Sequence, residues 1–140
     1  MRKFQVHAWQ KDPLNPILPP SPAHPDAFDS TSCMNPFVVR QGDEYYLFYA
    51  GGDNQGHRRI CLAIAHVSNL SHWNRLGPIM DLGRPDAFDS HWCVLPCVHW
   101  INGKWHLYYT GRDRNLLDQG LQSFWGMGLA ISDDLRNWRR

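Results

Sequence analysis

The chain has 140 residues, with 14 Lys plus Arg against 13 Asp plus Glu and a formal charge of +1. That balance excludes the strong basic excess of a dedicated nucleic-acid binder. Hydrophobic residues at 43% with charged residues at 19% exclude a disordered chain and are enough to bury a core. No apolar run reaches the roughly 18 residues of a membrane-spanning helix, so no membrane partner is expected. The opening MRKFQVHAWQKD lacks the apolar stretch of a secretory signal, so a cytoplasmic protein is expected, with Cys33, Cys61, Cys93 and Cys97 as reduced thiols. Seven Trp, 11 Gly and 10 Pro favour short strands and tight turns over helices.

Residues 1–24 read as an outer strand and a linker, because Trp9 followed by NPIL at 15–18 mirrors Trp73 followed by GPIM at 77–80. Two repeats then fill the chain, 25–80 and 81–140. PDAFDS stands at 25–30 and again at 85–90, and an ungapped comparison of 25–51 with 85–111 gives 12 identities in 27 positions. The match resumes with LAIA at 62–65 against LAIS at 129–132, and with Leu70-x-x-Trp73 against Leu135-x-x-Trp138. The second copy carries a longer insert, Arg112 to Gly126.

Each repeat predicts four strands. The first runs over Cys33–Arg40 or Cys93–Ile101, and the turns Gly42-Asp43 and Asn102-Gly103 follow; Asn-Gly is a strong hairpin signal because both residues tolerate positive φ. Aromatic-rich second strands come next, YYLFYA and WHLYYT, then ICLAIA or MGLAIS, and a fourth strand starting at Trp73 or Trp138. The fold class expected is all-β, with blades of four antiparallel strands arranged as in a β-propeller.

Strand parity places the chemistry. The turns before each first strand, with Asp29-Ser30 and Asp89-Ser90-His91-Trp92, should open at one end near the axis. The loops after each second strand, with Asp53 and with Arg112-Asp113, should open at the same end further out. Glu44, the one glutamate, falls in a turn at the other end. Asp29 and Asp89 are then candidate catalytic carboxylates facing one pocket, a pairing suited to glycosidic bond cleavage. Equally, an Asp-Ser before each inner strand can cap a turn. Ser30, Ser90, His91, Trp92, Asp53, Arg112 and Asp113 are candidate substrate-binding groups; Trp92 can stack on a sugar or fill the seam between blades. Cys93, Cys97 and His99 would share one face of a regular strand, which opens a metal reading. No second ligand pair has zinc-like spacing, so no metal and no cofactor are expected.

The pattern NPFVVRQGDEYYLFYAG and LPCVHWINGKWHLYYTG, followed by LAIS-DDL-x-x-W, resembles the five-bladed propeller glycosidases of glycoside hydrolase families 43 and 32 and their relatives, the mannoside phosphorylases among them. SDDLRNW also resembles the Asp-box turn of sialidase propellers, in which Asp caps a hairpin. The resemblance implies a carbohydrate-active propeller of which this chain is about two blades. It also implies an Asp-Pro on the first inner strand, where this sequence has Asn35-Pro36. A second-blade Asp would fall just after Pro96, where this sequence has Cys97. The expected function is glycosidase-like hydrolysis in an axial pocket; the alternative is a non-catalytic sugar-binding or assembly module derived from such an enzyme. Two repeats do not close a ring. The chain is therefore expected either to be part of a larger enzyme or to form a homo-oligomer in which the Trp9 strand of one copy completes the last blade of another.

Overall fold

The computed structural model describes residues 10–21, 24, 26–114 and 125–140. Trp9 and most of the insert after Arg112 lie outside the described residues. Eight strands follow in chain order: β1 Ser32–Gln41, β2 Glu44–Gly52, β3 Arg58–His66, β4 Asn74–Pro78, β5 Trp92–Ile101, β6 Lys104–Arg112, β7 Trp125–Ser132 and β8 Trp138–Arg139. Strands β1 to β4 form one antiparallel meander and β5 to β8 another. The two are joined by a single parallel pair, Arg58 with Trp92, where the Arg58 N–H donates to the His91 carbonyl at 3.3 Å. No helix occurs among the described residues.

Both first hairpins turn on two residues. Gly42 has φ 60°, and Asn102 and Gly103 have φ 48° and 79°. In the second hairpin positive φ at both central residues matches the turn twist to the strand twist, which is why Asn-Gly serves there. The inner strands share a bulge: pairing with the second strand shifts between Met34 and Phe37 and between Val94 and Cys97. At its centre Asn35 and Leu95 hold φ of 53° and 55°, a left-handed conformation that costs a leucine about 1–2 kcal/mol. The bulge reverses side-chain parity. Cys93 therefore lies with Leu107 and Tyr109 on one face, whereas Cys97 pairs with Tyr108 and lies on the other. This corrects the shared face that regular alternation predicts, and no metal-holding cluster occurs among the described residues.

The central strand of the first blade reads YLFYA without a polar break because both its faces are covered. Tyr46 and Phe48, with Ile60, Leu62 and Ile64 of β3, pack toward the second blade against Cys93, Val98, Leu107, Tyr109 and Ala130. The Phe48 ring meets Trp138 edge-on at 5.9 Å. On the opposite face Leu47, Tyr49, Cys61 and Ala63 pack with Leu18, Phe28, Cys33 and Trp73. Leu18 belongs to the segment before the first blade and Met80 to the matching segment before the second, and each packs against the core beneath it.

The PDAFDS turns sit directly on the ends of the second strands, and this close approach needs glycine. A Cβ on Gly111 would stand 2.6 Å from both Asp89 Cβ and the Phe88 ring. Gly111→Ala is expected to lower unfolding free energy by about 1–3 kcal/mol, the usual cost of overpacking, measured by urea denaturation. Gly103→Ala, where open space surrounds the Cβ, separates this steric cost from the strain of a positive φ.

Candidate functional site

The two repeated aspartates are buried, at 0% exposure for Asp29 and 2% for Asp89. Each is held inside its own blade. Asp29 Oδ2 accepts the Tyr49 hydroxyl at 3.0 Å and pairs with the Arg75 guanidinium. Asp89 Oδ2 accepts the Tyr109 hydroxyl at 2.7 Å and Arg140 Nε at 3.1 Å. The same arginines reach further: Arg75 Nη2 donates to the Pro19 carbonyl and Arg140 Nη2 to the Asp81 carbonyl. One aspartate thus ties the turn before the inner strand to the second strand, the fourth strand and the segment entering the blade. The turns themselves are superimposable in their bonding, with Ser30 N–H to Ala27 O and Ser90 N–H to Ala87 O both at 3.1 Å.

Burial raises the neighbouring acids. Tyr49 and Tyr109 are pushed above the usual phenol range by burial, with the adjacent carboxylates adding to it. Burial pushes the Cys93 thiol up to about 11, with Asp89 adding to it, and Cys61 is raised by burial as well. Every proton donor around the two carboxylates therefore stays protonated at neutral pH. The expectation that Asp29 and Asp89 look into one cavity is not what the geometry gives, because each faces the arginine and tyrosine of its own sheet.

Other predicted groups do gather. His91 N–H donates to the Arg112 carbonyl at 3.0 Å, and the Ser90 hydroxyl bonds Asp113 Oδ1 at 3.3 Å. The His91 ring stacks on Trp92 at 5.7 Å and meets His57 edge-on at 5.5 Å. Trp92 Nε1 donates to the Gly56 carbonyl of the other blade at 2.8 Å. The guanidinium carbons of Arg58 and Arg112 lie 4.1 and 4.3 Å from its ring centroid. Trp92 is thus a key across the seam, engaged by cations from both blades. Ser30 stands at the matching turn of the first blade, where Thr31 Oγ1 donates to the Gly52 carbonyl at 3.0 Å.

Beside this key the bulges open a cleft of about 280 Å³, lined by Met34, Asn35, Arg58, Trp92, Val94, Leu95 and Trp125. Its size is near the lower end of small-ligand sites. Trp125 is half-exposed, meets Trp92 edge-on at 5.7 Å and has Arg112 at 5.2 Å. Neither Asp29 nor Asp89 lines it. Sequence reasoning missed Trp125 because it stands in the insert of the second copy, at the position where the first has Arg58. It also missed Arg75 and Arg140, although Trp73-x-Arg75 and Trp138-x-Arg140 repeat two residues past the Leu-x-x-Trp match.

Asp53 serves its own loop. Oδ1 accepts the N–H groups of Gln55 and His57, both at 2.9 Å, and Oδ2 pairs with Arg59 at 2.7 Å. Burial works to raise its pKa, but the Arg59 bond and the two backbone N–H groups outweigh it and hold the carboxyl below its ordinary value. Asp134 likewise caps the β7–β8 turn, accepting from the N–H groups of Arg136 and Asn137 at 2.9 and 2.8 Å, as the Asp-box likeness implies. Glu44, at the other end, accepts the Tyr46 hydroxyl at 3.0 Å.

Two outcomes follow from these contacts. Arg75→Met strands a buried carboxylate and is expected to cost about 3–5 kcal/mol; Asp29→Asn with Arg75→Met should cost less than the sum of the singles, read by a double-mutant cycle in urea. Asp53→Asn is expected to cost about 1–2 kcal/mol at pH 7. Because the folded pKa of Asp53 is depressed, its contribution is present above the unfolded value and is lost as pH falls through the folded one. The gap between Asp53→Asn and wild type should therefore close in acid, measured by denaturation from pH 7 downward.

Two antiparallel four-stranded blades set face to face, with bulged inner strands, define a β-propeller architecture, and the solved structures similar to it agree. The chain covers 92% of itself and 39% of a glycosyl hydrolase from Bacteroides ovatus, at 17% identity and a TM-score of 0.72. Zg3597, a family 117 glycoside hydrolase from Zobellia galactanivorans, matches over 79% of this chain and 32% of its own, at 22% identity and a TM-score of 0.63. The family model of glycosyl hydrolases family 43 matches residues 28–139, and the chain belongs to that family. A 1,2-beta-oligomannan phosphorylase of Thermoanaerobacter sp. (strain X514) is 34% identical over 106 residues, 74% of this chain. The chain spans 29% of that relative's length. No helix of the described residues is long and apolar enough to cross a membrane.

Proposed function

We propose that this chain recognises carbohydrate at the cleft between its two inner strands, as the glycan-contacting part of a glycosidase-type propeller. Asp29 and Asp89 hold the blades and do not act on the glycosidic bond. The observation that carries this reading is the half-exposed Trp125 beside Arg58 and Asn35 on one cleft, with Arg112 behind it at 5.2 Å from its ring. An indole face takes up the C–H face of a sugar, and guanidinium and amide groups bond its hydroxyls. The cleft's lining holds no carboxylate, so it binds without an acid–base pair of its own. Similarity to the oligomannan phosphorylase, and to a beta-1,2-mannobiose phosphorylase from Listeria innocua at 19% identity and a TM-score of 0.51, makes β-1,2-linked mannosides the first ligand class to test. A reducing, cytoplasmic setting suits the four free cysteines.

Titration calorimetry with β-1,2-mannobiose is expected to show saturable binding that Trp125→Ala weakens at least tenfold while leaving the melting temperature in place. Binding unchanged by Trp125→Ala would remove the cleft from the reading. Acid–base hydrolysis by Asp29 and Asp89 is favoured by one observation, their recurrence at equivalent turns. It requires wild type to release nitrophenol from a panel of nitrophenyl glycosides, and folded Asp29→Asn and Asp89→Asn to release none.

A further inference from the structure

The residues beside the cleft form one row that crosses the junction of the two blades. Strand register sets it: β3 meets β5 at Arg58 with Trp92, β5 meets β6 at Trp92 with Arg112, and β6 meets β7 at Arg112 with Trp125. Residues level with one another on neighbouring strands come within reach of each other, so cations and indoles alternate along the row. The Arg58 and Arg112 guanidinium carbons lie 4.1 and 4.3 Å from the Trp92 centroid, and that of Arg112 lies 5.2 Å from the Trp125 centroid. The equivalent row of the first blade is Ser32, Gly52 and Arg58. Serine and glycine build no such stack, so the alternation belongs to the junction and not to the repeat. The row also lies where both blades are in place, away from the outer blade faces.

The row holds no negative charge. Arg59, Arg75, Arg136 and Arg140 each pair with a carboxylate. Arg58 and Arg112 pair with none among the described residues, and the Nε of each is buried with no hydrogen-bond partner there. An indole accepts no ordinary hydrogen bond and offsets only part of a cation's charge. Two like charges beside one ring repel, more strongly between apolar walls than in water, and an oxyanion relieves the repulsion. A carboxylate matches the planar donor edge of a guanidinium, with bonds about twice as strong as those between neutral groups. We infer that the ligand of this cleft is an acidic glycan, its uronosyl carboxylate at Arg58 and the adjoining sugar ring on Trp125, both of which line the cleft. The inference rests on the cleft being the sugar site. Arg112 stands outside the lining and is a positioning residue: it holds the two indoles and adds positive potential behind them.

Titration calorimetry on the 140-residue chain compares β-1,2-mannobiose with the same disaccharide carrying a mannuronosyl residue at its non-reducing end. At roughly 50 mM salt the acid should bind about tenfold tighter than the neutral sugar. At roughly 0.5 M salt the advantage should shrink to about threefold or less, because screening weakens the charge pair. Arg58→Gln should bring the two affinities level, whereas Arg58→Lys, which keeps the charge without the planar fork, should retain part of the preference. Arg112→Gln should weaken the preference without abolishing it. Circular dichroism identifies any variant that fails to fold, and the salt series on wild type decides the matter without one. An acid disaccharide that binds no tighter than the neutral one overturns the inference and leaves a neutral-sugar cleft. A preference that survives Arg58→Gln intact overturns the placement of the carboxylate. Inorganic phosphate that binds as tightly as the acid disaccharide overturns the assignment to a glycan, since the row would then take any oxyanion. Binding of neither sugar removes the cleft reading itself.

Discussion

A buried carboxylate under an arginine is the constraint on which each blade depends. Asp29 and Asp89 stand where the chain turns into its inner strand, and both are buried. An ionised carboxylate in that position is costly unless a cation and hydrogen-bond donors surround it. Arg75 and Tyr49 supply these in the first blade, Arg140 and Tyr109 in the second. The donors come from the second and fourth strands, so satisfying one carboxylate fixes three parts of the sheet relative to one another. This explains why PDAFDS recurs unaltered while the neighbouring Thr31-Ser32 and His91-Trp92 diverge. The latch demands the same chemistry in every blade, and the residues beyond it are free to meet what lies in the seam.

The seam is where the two repeats stop being equivalent. Trp92 reaches across it to Gly56, and two guanidinium groups lie over its ring. Asn35 and Leu95 face the cleft from left-handed backbone, a conformation more costly to leucine than to asparagine because of its branched bulk. Strain of that kind at the rim of a cleft is common in binding sites, where packing elsewhere supports it. The cleft is thus shaped by backbone first, with the side chains of Arg58 and Trp125 closing its sides.

The eight strands were legible because the repeat aligned turn with turn: Asn102-Gly103 and Gly42-Asp43 fall where strand pairing reverses. The gathering of His91, Trp92 and Arg112 at one end followed from strand parity alone. What parity did not reveal was direction. Asp29 and Asp89 lie in the turns before the inner strands, yet they turn into their own sheets, each against an arginine two residues beyond the last repeated tryptophan. Side-chain parity also failed across the bulge, where one extra residue sends Cys93 and Cys97 to opposite faces. Trp125 was illegible for another reason: the first copy has Arg58 at the matching position, so the repeat offered no second tryptophan to point to it.

The latch also has a temporal side. Asp29 lies 46 residues ahead of Arg75, and Asp89 likewise precedes its partner Arg140 by almost a whole blade. During vectorial synthesis a blade's acidic turn emerges long before the base that neutralises it. Until that base arrives, hydration favours keeping the carboxylate in water and the sheet interior open. A wedge so built shuts from its rim rather than its hub, and only once its outermost strand has left the ribosome.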